Sequence, residues 1–234
     1  MFRIILIYIK KIFNTFLTVK IIRKDYRNNF EKRFKFLEFI SKFLWFIPNN
    51  IQRKYWYFAD KGQKHDYTKY LYMTDVTNKF VREIKNYSNS EDKLLDICCN
   101  VGRFLDYLNK SGFNELYGFD ISRKSIKEMQ KNFPNINQKK IKCMSAEEYL
   151  SSAEDNFFDI TYTYGATIEL IHPTFPVIKQ ISRITKKYFI CKIHENGHAY
   201  PRFWRYEFKN NNFKIVKSSL SKNDGTTTFV LKKS

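Results

Sequence analysis

The residues best suited to chemistry lie between Lys93 and Asp120, where an apolar run, a turn and an acid follow one another. The turn covers residues 99–102 and contains Asn100 and Gly102, residue types that accept the positive φ angles of tight turns. Small side chains there would let backbone N–H groups approach a ligand, and the carboxylate of Asp120 could accept both hydroxyls of a ribose. The distance from turn to acid is near the roughly 20 residues of dinucleotide-binding fingerprints. We therefore expect a nucleotide site in this stretch.

Two strands and a helix must hold this turn in place. Residues 93–98 form a short apolar run, which is typical of a buried strand. Residues 103–110 carry apolar side chains on one face at helical spacing, and Gly112 then ends the helix. Residues 116–119 form a second apolar run directly before Asp120. This order predicts a βαβ nucleotide-binding unit in which the positive end of the helix points at the turn.

The glycine pattern of the turn departs from the dinucleotide fingerprint, because Gly102 is the one glycine of the three expected. The line from Leu94 to Ser122 instead resembles the first motif of class I S-adenosylmethionine-dependent methyltransferases, which often reads G-C-N-x-G-R. Residues 99–103 supply the C-N-x-G-R part, and Cys98 stands where the family has its first glycine. The resemblance implies S-adenosylmethionine as the cofactor and methyl transfer by in-line displacement as the reaction.

The same resemblance implies a set of cofactor-binding residues. Asp120 would take the ribose, whereas we expect Asp96 to be a structural carboxylate bonded to N–H groups of the turn. Ser145 falls where the family places its adenine-contacting loop. Many members have Asp there, so the serine keeps hydrogen-bonding capacity without the charge. The predicted set is Asp96, Cys98, Asn100, Gly102, Asp120, Ile121, Ser145, Ala146, Glu147 and Tyr164.

The segment 165–173 follows the fourth predicted strand, and in the family this loop lines the space where methyl donor and acceptor meet. Glu169 and His172 are its titratable residues, and we take both as catalytic candidates. His172 is the candidate general base, which the reaction needs only if the acceptor is a hydroxyl or a protonated nitrogen. A capping or packing role for His172 stays open.

Residues 194–198 match H-E-x-x-H, the pattern of zinc proteases in which two histidines of one helix bind the metal. The segment follows a β-rich run, and Gly197 and Pro201 oppose a helix. We therefore expect no metal site here. A contact of His194 or Glu195 with the acceptor and a plain surface loop remain alternatives.

Apolar runs beyond the first motif predict the rest of the fold. Further strands are expected at residues 140–144, 157–163 and 187–194, with helices over 73–86 and 122–132 and another opening at Pro173. Residues 213–218 and 226–231 flank the turn signal Asn223-Asp224-Gly225 and predict a hairpin. The predicted fold is α/β, a Rossmann-like class I methyltransferase fold. It has a mostly parallel seven-stranded sheet, a C-terminal antiparallel hairpin and a helical N-terminal extension.

The chain is predicted to divide into a basic, aromatic-rich helical extension at 1–87 and a cofactor-binding domain at 88–234. The net charge of the 234 residues is +19, and residues 1–60 hold 13 Lys and Arg against four acids. Such charge suggests an anionic partner. Residues 1–50 are read either as amphipathic helices on an anionic membrane or as helices that pack on the domain. No apolar run there reaches the roughly 20 residues of a membrane span.

The four cysteines lie in apolar runs without C-x-x-C spacing, so we expect buried thiols in a reducing cytosol. The predicted location is cytoplasmic, with a peripheral contact at the inner face of the membrane as an alternative. The predicted acceptor is a small molecule or a cell-surface saccharide or lipid-linked group. RNA is a second candidate, although no RRM or KH signature is present. A methyltransferase fold that serves as a non-catalytic interaction protein is the third.

Overall fold

The computed structural model describes residues 67–165, 167–195, 202–221 and 224–234. These residues form the strands β1 (Leu94–Ile97), β2 (Leu116–Asp120), β3 (Ile141–Cys143), β4 (Phe158–Tyr164), β5 (Thr185–Ile193), β6 (Phe213–Leu220) and β7 (Thr227–Lys233). They form the helices α1 (Asp75–Asn86), α2 (Arg103–Lys110), α3 (Arg123–Asn132), α4 (Ala146–Ser152), α5 (Val177–Ile184) and α6 (Trp204–Asn210). Short 3₁₀ turns cover Tyr67–Tyr70, Gln138–Lys140 and Ile168–Leu170.

The strands form one sheet in the order β3-β2-β1-β4-β5-β7-β6. Strands β1 to β5 run parallel, and β7 lies antiparallel to both β5 and β6. The predicted Rossmann-like α/β fold with its C-terminal antiparallel hairpin is therefore confirmed. The strand order reverses between β1 and β4. Open parallel sheets bind ligands at the carboxyl ends of the strands beside such a reversal, which here means the loop after β1.

Helices cover both faces of the sheet because the central strands bury apolar side chains on both sides. On one face α1, α2 and α3 pack in a cluster that includes Phe80, Leu105 and Met129. On the other face α4, α5 and α6 pack around Leu150, Ile181 and the surrounding strand residues. The strands β1, β2 and β4 thus lie between two apolar layers, and these layers fix the strand ends from which the loops extend.

Helix α1 belongs to this core although it precedes the predicted boundary between residues 87 and 88. Its Thr74 caps the first turn, and Phe80, Val81 and Ile84 are buried. The boundary itself stays a prediction, because residues 1–66, with most of the predicted extension, lie outside the described residues.

Three helices differ from the expectation. The helix expected to open at Pro173 begins at Val177, because Pro176 disfavours helical geometry at the residue before it. Helix α4 was not predicted, although Ser145 and Glu148 form a capping box that the sequence spells as S-x-x-E. Helix α6 was not predicted either. It packs through buried aromatic side chains, which propensity alone does not reveal.

All four cysteines are free thiols. Cys99 and Cys191 are buried and Cys98 is half-buried, but Cys143 is exposed. The expectation of four buried thiols is therefore wrong for Cys143. This residue ends β3, an edge strand whose second and third residues both face solvent.

No helix in the described ranges is both long and apolar enough to cross a membrane. Even α1 has only 12 residues, against the roughly 20 that a span requires. The predicted membrane contact concerns residues 1–50, which lie outside the described residues, so it stays a prediction.

Candidate active site

The loop of residues 98–102 passes from β1 into α2 as a tight turn with three left-handed residues. The φ angles are 59° at Cys98, 51° at Asn100 and 76° at Gly102. The Gly102 N–H donates to the Cys99 carbonyl oxygen at 2.9 Å and closes the turn. A left-handed conformation costs a non-glycine residue about 1–2 kcal/mol, so contacts around the loop must hold Cys98 in place.

Gly118 lets this loop and α2 approach β2 closely. A Cβ atom at this position would lie 2.9 Å from Leu105 Cδ1 and 3.1 Å from Cys99 Sγ. A larger residue would force the side chains of Leu105 and Cys99 to shift. The carboxyl end of β2, where Asp120 sits, is therefore fixed beside the loop.

Asp120 joins the loop to the end of β2. Its Oδ2 accepts the Asn100 N–H at 2.9 Å, and its Oδ1 accepts the Ser122 N–H at 2.8 Å. Burial raises the pKa of Asp120, and these N–H groups oppose that rise. Each carboxylate oxygen has two acceptor positions, so one on each oxygen remains for a ligand.

Asp96 does not bond to the turn, and the expectation that it would is wrong. The N–H groups that were expected to reach it go elsewhere, from Asn100 to Asp120 and from Gly102 to the Cys99 carbonyl. Asp96 is 2% exposed, and its Oδ2 has no hydrogen-bond partner among the described residues. Burial, followed by the nearby Asp120 carboxylate, raises the pKa of Asp96.

Cys98 marks where the predicted site residues converge. Burial raises the pKa of its thiol most, and the carboxylates of Asp120, Asp96, Glu147 and Glu169 raise it further. These acids come from β2, β1, α4 and the loop after β4, so the fold brings four separate segments to one place. A thiol held neutral in this way is a poor nucleophile, and the predicted cofactor contact of Cys98 stays a prediction.

Residues 145–147 lie at the start of α4. Ser145 is the helix cap: its hydroxyl accepts the Glu148 N–H at 3.2 Å and donates to Glu148 Oε2 at 2.7 Å. Ala146 is buried in the apolar cluster beneath. Ile121, half-buried, follows Asp120 directly on the facing loop. The adenine-contacting role of this group stays a prediction.

Arg103 is a site residue that the sequence analysis did not single out. Its guanidinium carbon lies 5.6 Å from the ring centroid of Tyr164, at the end of β4, and 5.8 Å from that of Tyr70. Its Nη1 donates to the Tyr72 carbonyl oxygen at 3.3 Å. The signal was its place directly after Gly102, at the first residue of α2.

Tyr67 contacts residues that follow β2. Its hydroxyl lies 3.5 Å from Ser122 Oγ, and Lys124 Nζ lies 4.7 Å from its ring centroid. Residues 67–72 thus run from Ser122, after β2, to Arg103 at the start of α2.

Glu169 holds the loop after β4 in place. It is fully buried, and its Oε2 accepts the Thr167 N–H at 3.1 Å while its Oε1 accepts the His194 N–H at 2.8 Å. Burial raises the pKa of Glu169 to about 7 against the opposing effect of these N–H groups. The carboxyl group therefore ties the loop after β4 to the end of β5, and its predicted catalytic role stays a prediction.

His172 is buried in the same loop. The Thr174 N–H donates to its Nδ1 at 3.3 Å, and the Thr174 hydroxyl lies 2.8 Å from the same nitrogen. In a neutral ring with Nδ1 as the acceptor, the proton is on Nε2. That tautomer presents a donor at Nε2, so a base role at this nitrogen requires the other tautomer.

The buried Arg202 binds the backbone of the same loop. Its Nη2 donates to the carbonyl oxygens of Ile171, His172 and Phe175 at 3.3–3.5 Å, and Nη1 reaches the Glu207 carboxylate at 3.3 Å. Glu169 thus ties the loop after β4 to His194, directly after β5, and Arg202, shortly before α6, binds the same loop through its guanidinium.

The H-E-x-x-H segment does not present its glutamate to a metal. Glu195 accepts two hydrogen bonds from Arg205, at 2.9 and 3.2 Å, and one from the Thr227 hydroxyl at 2.6 Å. His198 lies outside the described residues. Within the described ranges, no group of three or more His, Cys, Asp and Glu side chains is placed to hold a metal ion.

Comparison with known proteins gives one family. The methyltransferase domain family matches residues 94–188, from the start of β1 to the middle of β5. No curated protein matches the sequence. The match contains the loop of residues 98–102, Asp120 and the loop after β4.

Several solved structures share the fold at low sequence identity. Magnesium protoporphyrin IX methyltransferase from Synechocystis PCC 6803 with bound SAH has a TM-score of 0.58 and 14% identity, over 80% of this chain and 99% of that one. A TehB-like SAM-dependent methyltransferase from Corynebacterium glutamicum ATCC 13032 Kitasato has a TM-score of 0.55 and 16% identity, over 80% and 97%. Geranyl diphosphate C-methyltransferase from Streptomyces coelicolor A3(2) has a TM-score of 0.55 and 9% identity, over 68% and 79%. At these identities the likeness concerns the fold.

Proposed function

We propose that this chain, whose residues 94–188 match the methyltransferase domain family, transfers a methyl group from S-adenosylmethionine to a small-molecule acceptor. The family match confirms the predicted methyltransferase, and S-adenosylmethionine is the cofactor that this domain implies. The acceptor and the roles of individual residues are our proposals.

The contacts of Asp120 carry the proposal. Each of its carboxylate oxygens accepts one backbone N–H and keeps one acceptor position. A ribose offers two neighbouring hydroxyl donors, so Asp120 can bind both while it keeps the loop in place. Asn100 Oδ1, on the same loop, is buried and has no hydrogen-bond partner within the described ranges, so it offers a further acceptor. These groups fit the polar parts of an adenosyl cofactor.

Bound S-adenosylmethionine supplies a methyl group on a positively charged sulfur, which a nucleophile displaces in line. The chain has to align donor and acceptor and to exclude water. We assign the binding of the methyl donor to the loop of residues 98–102. Its adenine would contact Ile121 and residues 145–147, and Tyr164 would contact the donor from the end of β4. The neutral thiol of Cys98 leaves the loop chemically inert beside the donor.

The loop after β4 is assigned to the acceptor side. Glu169 and Arg202 fix this loop, and His172 is one of the residues whose carbonyl oxygen Arg202 binds. We propose that His172 orients the acceptor through its Nε2–H and acts as a base only in the other tautomer. A rate that rises with pH through one ionisation, and that loses this dependence in His172→Gln, would support the base role.

A small-molecule acceptor is favoured because the solved structures that share this fold include enzymes named for a porphyrin and for geranyl diphosphate. Within that class we propose a cell-surface saccharide or lipid-linked acceptor handled at the cytoplasmic membrane face. The support is the charge of residues 1–60, with 13 Lys and Arg against four acids. The full chain should then sediment with vesicles that contain anionic lipid, and a chain without residues 1–50 should not. Sedimentation of both or of neither would remove this part of the proposal.

The test of the main proposal is calorimetric titration of S-adenosylhomocysteine into the full chain, beside Asp120→Asn. The asparagine has one acceptor oxygen, so it can keep the N–H of Ser122 or that of Asn100 but not both, and it loses the charge that strengthens hydrogen bonds to hydroxyls. We expect binding to the wild type and a loss of about 10- to 100-fold in the variant. Asp159→Asn is the matched control, because Asp159 also accepts a backbone N–H, from Lys93 at 3.0 Å, near the amino end of β4. No binding to the folded wild type, or equal losses in the two variants, would contradict the proposal.

A further inference from the structure

Arg103 is a charged side chain of the site that no step above uses. It is the first residue of α2 and follows the loop of residues 98–102 directly. Its side chain is half-buried, and burial lowers its pKa while Tyr164, Asp96 and Tyr70 raise it. A guanidinium stays charged under such shifts, so the site contains a permanent positive charge.

The contacts of Arg103 leave most of its donors unused. Three aromatic rings surround the guanidinium, with centroids 5.0 Å (Phe104), 5.6 Å (Tyr164) and 5.8 Å (Tyr70) from its central carbon. Its one hydrogen bond within the described ranges goes to the Tyr72 carbonyl oxygen at 3.3 Å. A guanidinium has five N–H donors in a plane, which suits a carboxylate that binds through two oxygens.

Other arginines of the described chain that are at least half-buried have a carboxylate partner. Arg183 pairs with Asp155, Arg202 with Glu207 at 3.3 Å and Arg205 with Glu195 at 2.9 Å. Arg103 has no carboxylate of the described residues at ion-pair distance. Burial of a charge is costly without a counter-ion, so the exception points to an anion that comes from outside the described residues.

The position of Arg103 indicates which anion this is. Its backbone lies at the positive end of an eight-residue helix, which also favours negative charge. The aromatic wall includes Tyr164, at the end of β4, and β4 lies on the opposite side of β1 from β2 and Asp120. Asp96, whose Oδ2 has no hydrogen-bond partner in the described ranges, acts electrostatically on the same guanidinium. An acid and an arginine together suit a group that carries both an ammonium and a carboxylate.

We propose that Arg103 binds the α-carboxylate of the methionine part of the cofactor. The inference rests on the cofactor binding proposed above and adds a residue that selects the amino-acid end of the ligand. An anionic group of the acceptor is the rival source of the same chemistry, and the test separates the two.

The test compares three ligands by calorimetry on the full chain. S-adenosylhomocysteine has the whole amino-acid end, 5′-(3-aminopropylthio)adenosine lacks the carboxylate, and 5′-methylthioadenosine lacks the whole end. In Arg103→Met we expect S-adenosylhomocysteine to bind about 10- to 100-fold more weakly, since a hydrogen-bonded charge pair is lost. The other two ligands should change less than about twofold. Arg82→Met, an exposed arginine of α1, should leave all three affinities unchanged and reports the effect of one lost surface charge.

The outcomes separate the two proposals. Unchanged S-adenosylhomocysteine affinity in Arg103→Met, or equal losses for all three ligands, would overturn the inference and leave the cofactor site intact. Equal losses of affinity for all three ligands would mean that Arg103 holds residues 70–72 in place through its hydrogen bond to the Tyr72 carbonyl oxygen. If the wild type bound none of the three ligands, the proposed function would fail and this inference with it. If Arg103→Met does not fold, Arg103→Lys is used instead. Its affinity for S-adenosylhomocysteine should fall at least about threefold more than its affinity for the other two ligands.

Discussion

The carboxyl group of Glu169 should make the stability of this protein depend on pH near neutrality. Burial raises its pKa from 4.5 to about 7, although the N–H groups of His194 and Thr167 favour the charged form. Unfolding exposes the group and returns its pKa to the lower value. Between these two pKa values the unfolded chain gives up a proton that the folded chain keeps. The free energy of unfolding therefore falls as the pH rises.

The size of the effect follows from the width of this window. Each pH unit lowers the free energy of unfolding by about 1.4 kcal/mol, so the full window gives about 3 kcal/mol. The contribution of Glu169 is complete below the unfolded pKa, is lost through the folded pKa, and is constant at higher pH. Cys98 and Cys191 lie near Glu169 but stay neutral in this range, because burial and neighbouring carboxylates raise their thiol pKa.

Urea unfolding of the wild type and Glu169→Gln across the window measures this contribution. Glutamine does not titrate, so the difference between the two proteins isolates Glu169. Wild-type stability relative to the variant should fall by about 3 kcal/mol from below the window to above it. Glu154→Gln, which removes an exposed charge, controls for general electrostatic effects. Parallel stability curves for the wild type and Glu169→Gln would refute the reasoning and mean that the two N–H groups outweigh burial.

Three further changes have expected results. Gly102→Ala and Gly112→Ala should each lower the free energy of unfolding in urea by about 1–2 kcal/mol, since both residues have left-handed φ angles. The loss should be larger for Gly102→Ala, because its Cβ would lie 2.7 Å from a side-chain atom whereas Gly112 faces open space. Thr163→Val should cost about 1–2 kcal/mol, because the buried Thr163 hydroxyl donates to the Ile97 carbonyl at 3.0 Å. Arg202→Lys should speed amide hydrogen exchange in the loop after β4 and leave α1 unchanged.

Each of these expectations can fail in a defined way. Equal costs at the two glycines would mean that the loop of residues 98–102 relaxes without resistance. A neutral Thr163→Val would mean that the Ile97 carbonyl finds another donor. Unchanged amide hydrogen exchange in Arg202→Lys would mean that Glu169 alone is enough to hold the loop after β4 in place. Arg183→Lys is the control for this last change, since Arg183 also donates to backbone carbonyls, of Leu150 and Ala153, but far from the site.

The parts of the fold that local sequence determines were predictable. Helix α2 matches the predicted residues 103–110, because an apolar face and Gly112 define it locally. The terminal hairpin was marked by the Asn223-Asp224-Gly225 signal and by the alternation around it. The start of helix α5 was predicted at Pro173, but the helix begins at Val177, directly after Pro176.

The contacts within the site were less predictable, because they depend on where separate segments meet. Nothing near Asp96 in the sequence shows that the Asn100 N–H turns to Asp120 instead. The bond from His194 to Glu169 spans 25 residues and the bond from Arg202 to Ile171 spans 31, so both depend on how the strands are arranged in the sheet. The place of Arg103 was visible, but the absence of a carboxylate beside it required the structure.

The most direct measurement of the central claim is a crystal structure of the chain with S-adenosylhomocysteine. The ligand should lie at the carboxyl ends of β1 and β2, with both ribose hydroxyls at hydrogen-bond distance from the Asp120 carboxylate and the adenine beside residues 145–147. Its methionine carboxylate should face Arg103. A ligand bound elsewhere, or a ribose that does not touch Asp120, would contradict the assignment of the methyl donor to this site.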